Sequence, residues 1–142
     1  MKTHATKLSE IKREWWGIDA NNKVLGRMVS KIAEALMGKH KVYFTSHLDC
    51  GDYVVVTNID KVTITGKKAS QKIYYAYSGY PGGLRDTTFS DLMKKDPKKV
   101  IMHAIKGMLP DNKLRPRMMK RLKLFVGNEH TYQDKALKEM TV

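Results

Sequence analysis

The strongest constraint on the fold lies between Trp15 and Thr57, where the hydrophobic pattern changes period twice. Trp15 to Ala20 is a short apolar run, and Asn21-Asn22 supplies its exit turn. Leu25, Met28, Val29, Ile32 and Leu36 then recur at helical spacing, with Arg27, Lys31 and Glu34 on the opposite face. Gly38 marks the helix end, because glycine enters the left-handed cap conformation without steric penalty. Lys39, His40 and Lys41 follow, where positive charge suits the helix dipole. Tyr53 to Thr57 is β-branched and aromatic without helical period, as a buried central strand requires. Strand, helix and strand in this order form a βαβ unit, which implies a parallel pair and a right-handed crossover. The class is α/β.

Beyond this unit, Val62 to Thr65 and Lys72 to Ser78 read as short strands flanking a turn at Gly66-Lys67-Lys68. Gly79 to Gly83, with Pro81 inside, reads as a loop. Thr88 opens a helix with Asp91 three residues on, an approximate capping box. Asp96-Pro97 ends it and starts another, whose core face is Val100, Ile101, Ala104, Ile105 and Met108. On its other side, Lys99, His103 and Lys106 form a cationic stripe, and Pro110 is its stop. Residues 115 to 121 read as a short basic helix, and Leu122 to Val126 as a final strand. A polar tail from about 128 to 142 is expected to be loosely held. With no internal repeat or low-complexity linker, the expectation is one domain over 1–142, with an N-terminal extension over about 1–13.

Charge narrows the function. Lys and Arg total 27 against 14 acidic residues, a net +13 with a sequence pI near 9.8. Self-repulsion at this charge is tolerable when a polyanion neutralises it, and nucleic acid is the first candidate. The excess is uneven: from Lys94 to Lys123 eleven cations face only Asp96 and Asp111. The polar start of the chain resembles neither a secretory signal nor a transit peptide. No apolar stretch approaches the roughly 20 residues of a membrane span. A single cysteine, Cys50, forms no internal disulfide and fits a reducing compartment.

Chemistry finds little support. Thr65-Gly66-Lys67-Lys68 lacks the first glycine and the hydroxyl of a phosphate-binding loop, and no G-x-G-x-x-G or G-x-S-x-G occurs. His47-x-x-Cys50 with His40 is a poor zinc set, because structural sites favour four ligands, mostly thiolates. The expectation is therefore no enzyme, no metal, no cofactor and no small-molecule substrate. Binding features are stronger. Tyr74, Tyr75, Tyr77 and Tyr80 are interleaved with Lys72 and Arg85 and run into Pro81-Gly82-Gly83. Aromatics beside cations can stack on unpaired bases, with Tyr80 the best placed. Arg117 and Arg121 lie one helical turn apart, opposite Leu114, Met118 and Leu122. That spacing predicts a helix docked by its apolar stripe and offering guanidinium groups to phosphate, so replacing both arginines should weaken RNA binding with little loss of fold.

At this point four stretches carry a resemblance: Trp15 to Met28 (WWGIDANNKVLGRM), Gly38 to Lys68 (GKHKVYFTSHLDCGDYVVVTNIDKVTITGKK), Tyr74 to Gly83 (YYAYSGYPGG) and Lys106 to His130 (KGMLPDNKLRPRMMKRLKLFVGNEH). Together they resemble, in order and spacing, the bacterial-type ribosomal protein L-thirteen family of the large subunit. The resemblance implies a three-layer α/β/α fold with a mainly parallel four-stranded sheet. It also implies a structural, non-catalytic role in the cytoplasmic ribosome, with large-subunit ribosomal RNA and neighbouring ribosomal proteins as partners, no membrane, and participation in early subunit assembly. The RNA-facing positions it implies are Lys39, His40 and Lys41; Lys67 and Lys68; Tyr80, Gly82, Gly83 and Arg85; and Lys106, Lys113, Arg115, Arg117, Lys120, Arg121 and Lys123. Arg115-Pro116 departs from the glycine-containing sequence common in the family, and Asp111-Asn112 stands where a more basic loop is expected.

Overall fold

The computed structural model describes residues 5–142; Met1 to His4, at the start of the expected N-terminal extension, lie outside the described residues. The βαβ unit forms as the pattern dictates: β1 (Trp15–Asp19), α1 (Leu25–Met37) and β2 (Tyr53–Thr57). β1 and β2 pair in parallel from Trp15 opposite Tyr53 to Asp19 opposite Thr57. All five apolar positions read along α1 are buried, and Gly38 caps the helix in the left-handed region at φ 78°.

Four more helices and four more strands follow. They are α2 (Lys68–Gln71), β3 (Ile73–Tyr77), β4 (Leu84–Thr88), α3 (Phe89–Lys95), α4 (Pro97–Met108), α5 (Arg115–Lys120), β5 (Leu122–Leu124) and β6 (Lys138–Glu139). The main sheet runs β5-β2-β1-β6, parallel throughout, and the architecture is that of a three-layer α/β/α fold. The capping signals hold: the Thr88 side chain accepts from the Asp91 N–H, and Asp96 does the same from Lys99 with Pro97 in the first turn.

Each face of a parallel sheet must be covered, since every strand buries both sides. Ile18, Val54 and Val56 meet Met28, Val29, Ile32, Val100, Ile101 and Ile105 in the main core. Trp15, Gly17, Tyr53 and Val55 point the other way. Trp15 stacks on Tyr53 at 4.3 Å, Tyr132 leans on Trp15 at 5.1 Å, and Leu137 lies against Gly17. The tail that composition marks as loose is therefore held. It covers the second face, β6 pairs with β1, and the Met140 N–H donates to the Gly17 carbonyl at 3.1 Å.

Two local expectations change, and one strand has no counterpart in the sequence reading. Val62–Thr65 is not a strand; only Thr63 bridges to Val24, tying down the start of α1. The turn at Gly66 (φ 70°) leads straight into the single helical turn of α2. β4 carries the polar sequence Leu-Arg-Asp-Thr-Thr, with no strand pattern of its own; its antiparallel partner β3 makes it a strand.

Candidate nucleic-acid interface

The sequence reading treats the cations of 38–41 and of α5 as one kind of group. The structure divides them. At the end of α1 the chain turns at Gly38 and runs through 39–52 back across the helix terminus. Asp49 and Asp52 anchor it there. Asp52 is fully buried; it accepts the Glu14 N–H at 2.9 Å and the Trp16 indole N–H at 3.0 Å, pairs with the Lys41 ammonium, and has His40 Nε2 at 3.0 Å. Lys41 also donates to the carbonyls of Lys12 (2.6 Å) and Cys50 (2.9 Å). Asp49 forms a two-pronged ion pair with Arg121, whose remaining N–H groups donate to the carbonyls of Leu36 (3.1 Å) and Asp52 (3.3 Å). Arg13 closes the cluster on the carbonyls of Gly51 (2.6 Å) and Asp49 (3.1 Å).

Arg121 is thus a correction to the sequence reading. It is 6% exposed, and its guanidinium is spent on Asp49 and two carbonyls rather than offered to phosphate. Lys41 is a second correction, its side chain only 7% exposed and neutralised by Asp52. His40 remains partly open but belongs to the same carboxylate. Arg115 is a third: its guanidinium donates to the carbonyls of Pro110 (3.0 Å) and Leu109 (3.4 Å) and pairs with Asp111 at 3.2 Å, so it closes the end of α4. Lys123 is half-buried with its ammonium 5.9 Å over the Tyr132 ring, on the face that the tail covers.

A second set is exposed. The side chains of Lys39, Lys67, Lys68, Arg85, Lys106, Lys113, Arg117 and Lys120 reach solvent and carry no ion pair among the described residues. Two shallow clefts link parts of this set along α4. One, about 300 Å³, lies between Gly26 at the start of α1, Lys68, Lys72 and Met108. The other, about 380 Å³, holds Lys39, Phe44, Asn112 and Met118 and shares Met108 with the first. Lys68 and Lys72 thereby border one cleft and Lys39 the other, with Met108 common to both. Arg117, Lys113 and Lys120 project from the α5 region beyond Met118, which is buried.

In the hairpin, Tyr80 is 75% exposed at the tip. Gly82 has φ 72°, and a Cβ on Gly83 would collide with the Ser78 hydroxyl, so both glycines are explained by the turn itself. The neighbouring tyrosines divide. Tyr74 packs edge-on to His103 with Lys72 over its ring at 5.3 Å, while His103 itself stays exposed. The Tyr74 hydroxyl is buried without a hydrogen-bond partner, and burial raises its pKa. At the carboxyl end of β1, Asp19 is held below the usual carboxylate range by the side-chain amide of Asn58 at 2.8 Å, then by the Asn21 N–H at 3.0 Å, with Lys61 and Lys23 adding to it.

The sequence reading missed Arg13, Asp49 and Asp52. The available signal was two aspartates within four residues of a strand with an apolar Val-Val-Val centre, where buried carboxylates require cationic partners. Cys50 is buried with its Sγ 3.9 Å from the Thr45 hydroxyl, while His47 is exposed. No cluster of three or more metal-ligating side chains was found among the described residues.

Fold and surface together define a basic α/β protein whose exposed cations greatly outnumber the acids left to neutralise them. Comparison with known proteins makes this specific. The family described as Ribosomal protein L13 matches residues 13–131, and the chain belongs to that family. It is 54% identical over 133 residues to the large ribosomal subunit protein uL13 of Caldanaerobacter subterraneus subsp. tengcongensis, covering 94% of this chain and 93% of the relative. It is 53% identical to that of Thermobifida fusca over 94% and 89% of the two chains. The match to the Dictyoglomus thermophilum protein is 50% over the whole of both. These are ribosomal structural proteins rather than enzymes, and so is this chain.

Proposed function

We propose that the chain is a structural constituent of the large ribosomal subunit that binds large-subunit ribosomal RNA and supports an early step of subunit assembly. The observation that carries this reading is the division of its cations. Once Arg13, Lys41, Arg115 and Arg121 are assigned to internal carboxylates and carbonyls, the excess of exposed, unpaired lysine and arginine remains. Such groups neutralise phosphates that would otherwise repel one another, and release counterions as they do so. Specificity would come from RNA shape and unpaired bases, because side chains cannot read the deep A-form major groove. The interior ion pairs would keep 38–52 in one conformation, so that Lys39 is presented without an ordering cost at binding.

The test is sedimentation of the tagged chain from cell lysate, at low salt and after a high-salt wash. Retention in the large-subunit peak through the wash is the expected result. Release into light fractions at modest salt, or absence from the peak, would leave a free-standing RNA-binding module instead.

A further inference from the structure

The β3–β4 hairpin has two unlike faces. Strand side chains alternate, so the register of the pair sorts them. Tyr74, Ala76, Arg85 and Thr87 share the face turned toward α4, where Tyr74 meets His103 and Lys72 lies over its ring. The other face carries Ile73, Tyr75, Tyr77, Leu84, Asp86 and Thr88. It is open: Tyr75 is 68% exposed, Tyr77 66%, Leu84 62% and Ile73 40%. Large apolar side chains gathered on one exposed face mark an interaction surface in a folded protein. The ribbon also leaves the outer edge of each strand unpaired among the described residues.

We propose that this face, centred on Tyr75, Tyr77, Leu84 and Asp86, docks a basic, apolar-faced segment of a neighbouring protein rather than RNA; the proposal rests on the reading that the chain sits in the large subunit. Charge decides between the two. Base stacking on tyrosine is coupled to cations that hold the adjacent phosphates. Here the hairpin's cations lie on the opposite face, and the described cation–ring contacts involve Tyr43, Tyr74, Tyr132, Trp15 and Trp16 but neither Tyr75 nor Tyr77. The one ionisable carboxylate on the open face, Asp86, lies directly across from Tyr75. A carboxylate amid aromatics repels phosphate and complements lysine or arginine on a protein partner. Aromatic side chains are also enriched in the centres of protein interfaces. A second copy fits poorly, since a two-fold contact would bring two Asp86 side chains together in chains that each carry +13.

The experiment uses full-length tagged protein in salt-washed large subunits, with a photoreactive benzoylphenylalanine replacing Tyr75 and, in a second variant, Leu84. Irradiation should give an adduct that survives ribonuclease, joined to a peptide of another protein with net positive charge. Adding Asp86→Lys should lower the adduct yield several-fold. An adduct destroyed by ribonuclease, an adduct to a second copy, no adduct at either position, or a yield indifferent to Asp86→Lys would each overturn the proposal. The unsubstituted tagged chain is sedimented in parallel. Its absence from the subunit peak would reject the underlying functional reading, which is a different result from incorporation with the wrong cross-link.

Discussion

Residues 38–52 and the β3–β4 hairpin are both irregular additions to the parallel sheet, and both looked like cationic RNA-binding elements in the sequence. They manage charge in opposite ways. In 38–52 the carboxylates of Asp49 and Asp52 are buried and draw Arg13, Lys41 and Arg121 inward, leaving Lys39 as the exposed cation. In the hairpin the Tyr74 hydroxyl is buried without a partner, and the apolar side chains of the outer face are exposed. One segment is fixed by buried ion pairs; the other is a two-stranded ribbon that presents a surface a partner would complete. A basic residue in a basic protein therefore says little about RNA until its nearest carboxylate is located.

The largest effect that could break this contrast is Arg121→Ala. It leaves the buried Asp49 carboxylate with only the Arg13 guanidinium at 3.6 Å, and denaturant unfolding should show a loss of about 3 kcal/mol, the low end for a broken buried pair. Wild-type stability would return Arg121 to the exposed set. Gly51→Ala should follow at about 1–3 kcal/mol, because its Cβ would run into the Leu36 carbonyl, which is backbone and cannot swing aside. On the exposed side, Arg117→Ala with Lys120→Ala should leave the unfolding free energy within about 0.5 kcal/mol of wild type. The same pair should flatten the salt dependence of RNA binding, with log K losing about 0.7–0.9 of slope per phosphate contact removed. An unchanged slope would reject their role. Tyr74→Phe removes a buried hydroxyl that has no partner, so thermal unfolding should show no loss and up to about 1 kcal/mol of gain. Destabilisation would mean that the hydroxyl is satisfied.

The smallest effect concerns Asp19. Its folded pKa is depressed, so its contribution is complete above the ordinary aspartate value of about 4 and is lost as acid takes the pH down through the folded value. Asp19→Asn should lower stability slightly across the neutral range, and the difference from wild type should vanish as the pH falls through the folded value. A difference that persists undiminished into acid would contradict the assigned hydrogen bonds.

Much of the fold was legible because its signals are local and periodic. The apolar stripe of α1, the β-branched β2, the Gly38 stop and the Thr88 and Asp96 caps each depend on residues within a few positions of one another. β4 and the tail were not legible. Leu84–Thr88 becomes a strand only beside β3, and Lys138–Glu139 only at the free edge of β1. The candidate site shows the same limit more sharply. Arg117 and Arg121 are indistinguishable in helical spacing, yet one is exposed and the other buried, because Asp49 arrives from 72 residues away.

What the sequence by itself determined is the class of fold, the family and the size of the cationic excess, since periodicity, motif order and composition survive without coordinates. Which cations remain available, which face of the hairpin is open, and how the second side of the sheet is covered were decided only by tertiary structure. The physical reason is that a charge or an apolar side chain takes its role from what lies within a few ångströms of it. In a folded chain those neighbours are mostly distant in sequence.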